Sequence, residues 1–300
     1  MNLSTRTKAI FALVAVGFLG GVAPFFMKVA LKEFSSYQIL FLRFAMATLT
    51  IIPLYISQVK TFSLKKMKYI IPSGLLFTSN VFFFVVGVQY TTTIVSQLFY
   101  LLAPVIVSLL SYFLFKEKVS ARRIISMLIC FGGSSLLILR SVEGGALIKS
   151  IGTFHGNIII LCAVISWALY AVYTKRVSKI IEPSFFLVSN FVIALAISIV
   201  SLILTKTSLI GTLILFSRSS LPVMGCLVAL ATVNSILFFF LYQWSIKHVS
   251  AFLAASTAYL SPLSTALLAI PFLGEQLSTT FIISAASIFI GSYLILSEKK

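Results

Sequence analysis

The chain has 300 residues, of which 60% are hydrophobic and 10% are charged, and its mean hydropathy is +1.11. A soluble domain carries about a quarter charged residues, so this composition excludes the soluble classes. The net charge of +17 does not indicate nucleic-acid binding, because the Lys and Arg residues lie in short gaps between apolar runs. Continuous runs, rather than segments of about ten alternating residues, exclude a β-barrel and predict an all-α polytopic membrane protein.

Ten apolar runs follow one another along the chain, each close to the ~20 residues that a spanning helix needs. They cover residues 9–30, 36–57, 69–89, 93–115, 121–139, 157–174, 184–205, 221–244, 251–273 and 279–296. The longest gap, residues 141–156, contains Gly144, Gly145 and Gly152, which is typical of a linker. We therefore predict ten transmembrane helices in two five-helix units, residues 1–145 and 153–298.

The positive charge is divided unequally between the two sets of short loops. Of the 23 Lys and Arg residues, 16 fall on the side that holds both chain ends, and Lys28 and Arg43 lie inside apolar runs. The other side holds Lys32, Arg140, Lys149, Lys206 and Arg218. Because cytoplasmic loops carry the excess of Lys and Arg, we expect both termini to be cytoplasmic in an inner or plasma membrane.

A stretch of the chain occurs twice. Residues 93–140 match residues 251–298 at a constant shift of 158, which aligns Pro104 with Pro262 and Glu117 with Glu275. Since five helices per unit is an odd number, the second unit enters the membrane from the opposite side. Two inverted repeats are a recurrent plan of secondary transporters, with the substrate site near the midplane between them.

These features resemble the drug/metabolite transporter superfamily, in its EamA-like branch. The matching motifs are Leu42-Arg43-Phe44, Ala103-Pro104-Val105, Ser166-Trp167-Ala168-Leu169-Tyr170, Ser261-Pro262-Leu263, and a Glu-x-x-Ser element at both Glu117 and Glu275. Gly20-Gly21 stands where many members have Trp-Gly, so one aromatic residue is missing. The resemblance implies an alternating-access carrier that moves a small metabolite, amino acid or drug, often outward.

Two prolines and the residues one turn before them are the first site candidates. Pro104 and Pro262 remove a backbone hydrogen bond and kink a helix in mid-membrane. The freed carbonyl either faces a cavity or is satisfied by neighbouring helices. Helical spacing puts Gln97 and Tyr100 on the face of Pro104, and Tyr259 on the face of Pro262, so these side chains are predicted to line a central cavity.

Two cations lie inside apolar runs. An ionisable residue at that depth indicates a functional site by default, but Arg43 also fits a structural ion pair or a side chain that reaches the membrane surface. Lys28 is close to the end of its run, where it either extends to the surface or contacts an anionic cargo group.

Polar and aromatic residues inside four runs complete the predicted cavity lining. Asn80 and Asn234 either contact cargo or form interhelical hydrogen bonds. Trp167 and Tyr170 lie one turn apart and form either a stacking wall or ordinary packing.

Glu117 and Glu275 lie at membrane boundaries, where they act either as structural groups near the next helix or as gate contacts. The chain has no aspartate, and all six glutamates fall at or beyond helix ends. This distribution favours exchange or facilitated movement over coupling through a buried acid.

The sequence predicts neither an enzyme nor a cofactor or metal site. His155 and His248 lie near loops on opposite sides, and the three cysteines lack metal-ligand spacing. The expected partners are a small-molecule substrate and the lipid bilayer, and the oligomeric state is left open. An uptake or exchange carrier for nucleotide- or sugar-phosphate-like cargo is the alternative, followed by a channel or membrane scaffold.

The inverted repeat predicts the sidedness of two equivalent loops. Single cysteines that replace Lys118 or Gln276 should react with a membrane-impermeant thiol reagent from opposite sides of the membrane. Labelling of both positions from the same side would contradict the inversion.

Overall fold

The computed structural model describes residues 4–56, 64–115, 121–142, 151–275 and 277–296. Within these residues every regular element is helical. The helices are α1 (Thr5–Ala30), α2 (Ser36–Tyr55), α3 (Leu64–Tyr90), α4 (Thr93–Tyr100), α5 (Ala103–Phe115), α6 (Ala121–Val142), α7 (Phe154–Val177), α8 (Pro183–Leu204), α9 (Leu209–Arg218), α10 (Leu221–Ala231), α11 (Phe238–His248), α12 (Ala251–Ala255), α13 (Ser261–Leu273) and α14 (Thr279–Leu296).

Helical segments occupy all ten apolar runs, but three of the runs are not continuous α-helices. Two residues separate α4 from α5, a π-helical segment (Thr232–Leu237) joins α10 to α11, and a 3₁₀ segment (Ser256–Tyr259) joins α12 to α13. Eight helical stretches are long and apolar enough to cross a membrane. In α6 and α14 the qualifying apolar stretches are shorter, Ile124–Gly133 and Thr279–Gly291.

Short polar residues set where the helices begin. Ser35 caps α2 and forms a reciprocal capping box with Gln38. Thr92 accepts from the Val95 amide at the start of α4, and Ser250 accepts from the Leu253 amide at the start of α12. Each cap satisfies an amide that has no partner inside the helix, which matters most at a membrane boundary.

Most interhelical packing joins the first five runs to the last five. Helix α3 packs on α7 and α8, and α1 packs on α10, α11 and α13. Helix α2 packs on α8, α5 packs on α7, and α6 packs on α14. The two groups of helices are therefore interleaved, and a space at the centre of the molecule has walls from both.

A cluster of aromatic rings fills the core between the two groups. The buried ring of Phe77 contacts Phe44, Phe191 and Phe239 with ring centroids 5.5, 5.7 and 4.7 Å away. These four rings come from α3, α2, α8 and α11. Offset and edge-on aromatic pairs contribute packing energy beyond the area they bury, so the cluster fixes the relative positions of four helices.

The α6–α14 contact is reciprocal. A Cβ on Gly133 would lie 2.9 Å from the Ser284 carbonyl oxygen, and a Cβ on Gly291 would lie 2.7 Å from the Ser126 carbonyl oxygen. Between them the Cys130 thiol lies 3.6 Å from the Ile288 carbonyl oxygen. The two glycines let the backbones approach, as small residues commonly do between membrane helices.

This close approach makes both glycines sensitive to an added methyl group. Gly133→Ala and Gly291→Ala should each destabilise the protein by about 1–3 kcal/mol, because overpacking forces the helices apart. Thermal melting of the purified variants measures the effect. Gly132→Ala is the matched control, since a Cβ there meets no atom within 4 Å. Equal melting temperatures for all three variants would contradict the close contact.

Candidate functional site

An internal cavity of about 80 Å³ lies where the two groups of helices meet. Its walls come from α1, α2, α3, α4, α7, α11 and α13, together with the π-helical and 3₁₀ segments. The polar lining residues are Arg43, Asn80, Gln97, Tyr100, Trp167, Asn234, Thr257 and Ser261. The volume holds several water molecules or a small polar solute, and it is below the few hundred Å³ of a site for drug-sized ligands.

Two of the helix interruptions face this cavity. After α4, the amides of Leu101 and Leu102 bond to carbonyls three residues back, at 3.1 and 3.0 Å. The 3₁₀ segment before α13 ends in the same way, with the Leu260 amide 3.0 Å from the Thr257 carbonyl. Pro104 and Pro262 follow these points at the start of α5 and α13. Because proline has no N–H, the α-helical ladder cannot run through either position.

The π-helical segment forms a third irregular wall, and it binds Arg43. The Arg43 Nε donates to the Ser235 hydroxyl at 2.7 Å, and Nη2 donates to the Asn234 carbonyl at 2.9 Å. The Ser235 hydroxyl in turn donates to the Leu230 carbonyl at 2.9 Å, and the Asn234 side-chain amide donates to the Leu19 carbonyl at 2.6 Å. The widened turn thus connects α1, α2 and α10 around one guanidinium.

Another part of the cavity wall carries an amide and a phenol. Asn80 donates to the Tyr100 hydroxyl at 2.6 Å and to the Ala163 carbonyl at 2.9 Å, so it connects α3, α4 and α7. Gln97 lies one turn before Tyr100 and is buried, with 4% of its surface exposed. Among the described residues its side chain has no hydrogen-bond partner, which leaves a donor and an acceptor directed into the cavity.

Aromatic rings form the apolar part of the lining. Phe84, Phe238 and Phe239 line the cavity beside Trp167. The Phe84 ring meets Tyr100 edge-on at 5.4 Å, and the Trp167 ring lies 6.1 Å from Phe238. The cavity therefore combines a cation and amides with flat apolar surfaces, an arrangement suited to a small amphipathic molecule.

Six of the nine predicted lining residues meet in this cavity, and the other three lie elsewhere. Tyr170 is fully buried, and its hydroxyl accepts from Asn190 and Gln243 at 3.2 and 2.7 Å, which ties α7 to α8 and α11. Tyr259 is partly buried against the core. Lys28 is half-buried in the last turn of α1, where Glu275 is its electrostatic partner.

Glu275 connects the end of α13 to the beginning of α4. Its carboxylate accepts from the Thr93 amide at 2.7 Å, the Thr93 hydroxyl at 2.9 Å and the Ile94 amide at 3.0 Å. These amides lie at a helix N-terminus, where a negative charge is stabilised. The contact joins α4 to the end of α13 at one end of the bundle, where the charge of Glu275 also acts on Lys28 of α1. Glu117 lies outside the described residues.

Several residues in or next to the cavity wall were not predicted from the sequence. Ser235, which holds Arg43, has no signal of its own, because the π-helical turn is not visible in the residue pattern. Phe238 and Phe239 belong to a run of three phenylalanines that reads as ordinary lipid-facing sequence. Thr257 and Ser261 flank Tyr259 on the duplicated stretch, and the polarity of these two residues was the available clue.

The cavity, the spanning helices and the chain's relatives identify a multi-pass membrane transporter rather than an enzyme. The sequence profile of the EamA-like transporter family matches residues 7–139 and 154–297. The chain belongs to this family, part of the drug/metabolite transporter superfamily. A small-molecule substrate and the lipid bilayer are therefore its partners. Among the described residues, no group of three or more His, Cys, Asp or Glu side chains is placed to hold a metal ion.

The chain is also similar to individual relatives over most of its length. The uncharacterized transporter YyaM of Bacillus subtilis is 26% identical over 82% of this chain and 79% of its own. An uncharacterized transporter of Clostridium kluyveri is 23% identical over 88% of this chain and 84% of its own. A solved crystal structure with 17% identity covers 99% of this chain and 100% of its own, with a TM-score of 0.67, and supports the fold alone.

Because Glu275 accepts three hydrogen bonds, we predict that its charge stabilises the end of the bundle where α4 begins and α13 ends. Glu275→Gln should lower the melting temperature of the purified protein, because the amide nitrogen places a donor against a backbone N–H. Glu182→Gln is the matched control, since the Glu182–Lys247 pair is exposed, and exposed pairs contribute little. An equal change in the two variants would contradict the capping role.

Proposed function

We propose that the chain is an alternating-access carrier in which the central cavity is the substrate site. The observation that carries the proposal is a cavity between the two groups of helices that is lined by polar and aromatic side chains from both groups and by residues of the π-helical and 3₁₀ segments. Irregular backbone at membrane depth is tolerated where it lines such a space. Discontinuous helices around a central site are a recurrent feature of secondary transporters.

The proposed architecture is ten spanning helices in two inverted repeats, residues 1–145 and 153–298. Several observations support it. The family profile matches two separate ranges, 7–139 and 154–297. The α6–α14 contact is reciprocal at positions that differ by 158, since Gly133 meets Ser284 and Gly291 meets Ser126. A self-complementary contact of this kind is the signature of a two-fold axis.

Capping and helix breaks repeat at the same spacing. Thr92 and Ser250 cap α4 and α12 at positions 158 apart, and each is followed by an interruption just before the aligned proline. The packing between the two groups is also reciprocal. Helix α1 of the first group packs on α11 of the second, and α7 of the second group packs on α3 of the first.

The charge distribution supports cytoplasmic termini in an inner or plasma membrane.

The Glu275 contact supports a gate at one mouth of the cavity. It joins the beginning of α4 to the end of α13, and residues of both helices line the cavity. Opening that mouth requires these hydrogen bonds to break and the two helices to separate. We propose a small amphipathic metabolite as the cargo, since the cavity of about 80 Å³ is small for nucleotide-like cargo. We propose outward movement on the basis of the family resemblance alone.

A cysteine at Thr257 tests alternating access without knowledge of the cargo. Thr257 lines the cavity, and cysteine is close to it in size. In a variant whose Cys130, Cys162 and Cys226 are replaced by alanine, Thr257→Cys should react with a membrane-impermeant thiol reagent from either side of sealed vesicles. The reagent itself should not enter the vesicles.

Leu49→Cys is the matched control, because Leu49 is 71% exposed on the outer surface of α2 and should meet lipid. It should react from neither side. Reaction of Thr257→Cys from one side only would overturn the carrier proposal. Passage of the reagent through the protein into the vesicles would indicate a channel.

A further inference from the structure

Arg43 is a buried cation whose charge is not balanced by any carboxylate in the described part of the chain. Its side chain is 3% exposed. The chain has no aspartate. Glu33 accepts from Ser220, Glu182 pairs with Lys247, and Glu275 accepts from Thr93 and Ile94. A desolvated charge is costly unless it is paired, so this guanidinium favours an anion that comes from outside the protein.

The geometry of the guanidinium leaves donors for that anion. Arginine has five N–H donors in a planar fork, which matches a carboxylate in a two-pronged contact. Nε and Nη2 each give one hydrogen to the π-helical segment, through Ser235 and the Asn234 carbonyl. The three other hydrogens have no partner among the described residues, and Arg43 lines the cavity. The two bonds fix the fork, and the rest of it is available to a ligand.

Charge balance limits the ligand to a net monoanion. One guanidinium lines the cavity together with neutral amides and hydroxyls. A carboxylate brings the total charge to zero. A zwitterionic amino acid would bring an ammonium group into a cavity that no carboxylate lines, within the described residues. A phosphate dianion would leave an excess negative charge.

The rest of the lining indicates the body of the ligand. Gln97 lines the cavity with an amide that has no partner among the described residues, and Tyr100 accepts from Asn80 with its own hydroxyl hydrogen left over. The other walls are the rings of Phe84, Phe238 and Phe239. A ligand with a charged head and a compact apolar body matches this lining of polar groups on one part and aromatic rings on the rest. The small volume favours a chain of a few carbon atoms.

We infer that the cargo is a small monocarboxylate anion whose carboxylate is held by the free edge of the Arg43 guanidinium. This inference rests on the proposed function, because it takes the cavity to be the substrate site. It is more specific than the proposed function. An alternating-access carrier of neutral or cationic cargo would agree with the proposed function and contradict this inference.

Binding to the purified protein tests the inference with four probes of similar size. Isovalerate is the monocarboxylate, isovaleramide its neutral isostere, valine the corresponding zwitterion, and inorganic phosphate the alternative anion. A ligand that binds the native state stabilises it by RT ln(1 + [L]/Kd), so the rise in melting temperature with ligand concentration gives the dissociation constant. Isovalerate should raise the melting temperature as its concentration increases, and each of the other three should bind at least tenfold more weakly.

Variants assign the effect to the guanidinium. Arg43→Gln should bind isovalerate at least tenfold more weakly and lose the preference for isovalerate over isovaleramide. Arg43→Lys should keep part of that preference, since it retains the charge but not the planar fork. Arg218→Gln is the matched control, because Arg218 is exposed at the end of α9 and should leave binding unchanged.

Three outcomes would overturn the inference. They are equal binding of isovalerate and isovaleramide to the unmodified protein, tighter binding of valine or phosphate, and unchanged isovalerate binding by Arg43→Gln. The comparison of isovalerate with isovaleramide on the unmodified protein tests the inference even if Arg43→Gln fails to fold. If isovalerate does not bind but Thr257→Cys reacts from both sides of the membrane, the monocarboxylate inference is wrong and the carrier proposal stands.

Discussion

The lipid interior has no water to satisfy backbone polar groups, and this constraint links the fold of the protein to its site. A spanning segment must keep its α-helical hydrogen bonds unless protein or a cavity replaces them. The break between α4 and α5, the π-helical segment and the 3₁₀ segment are where the ladder changes in three of the spans. Residues of the π-helical and 3₁₀ segments line the cavity, and Tyr100, which also lines it, directly precedes the break. The irregular backbone therefore locates the site, and the regular helices around it position the irregular segments.

The π-helical segment and Arg43 depend on one another. The wider turn presents the Asn234 carbonyl and the Ser235 hydroxyl toward α2, and the guanidinium occupies both. The Ser235 hydroxyl also donates to the carbonyl of Leu230, five residues back, which is the spacing of one π-helical turn. Without the cation these acceptors would be left in an apolar interior. Without the wider turn the cation would lose its fixed orientation toward the cavity.

The sequence predicted the helical runs and much of the lining because those features follow from local periodicity. Gln97 and Tyr100 lie on regular α-helix, where a spacing of 3.6 residues puts them on one face, and both line the cavity. Tyr259 lies in the 3₁₀ segment, where three residues make a turn, so its face rotates away and Thr257 and Ala258 line the cavity instead. Tyr170 shares a helix face with Trp167, but tertiary hydrogen bonds hold it in the core.

The composition of one wall follows from a glycine pair on α1. Gly21 permits α1 to touch the backbone of α13 at Ser261, and the hydroxyl of Ser261 donates to the Gly17 carbonyl at 2.8 Å. A Cβ on Gly20 would lie 3.1 Å from the Phe238 ring. Gly20 therefore leaves room for the Phe238 ring of α11, and both residues line the cavity together with Arg43. The absence of a side chain on α1 thus allows an aromatic ring from another helix to form this part of the wall.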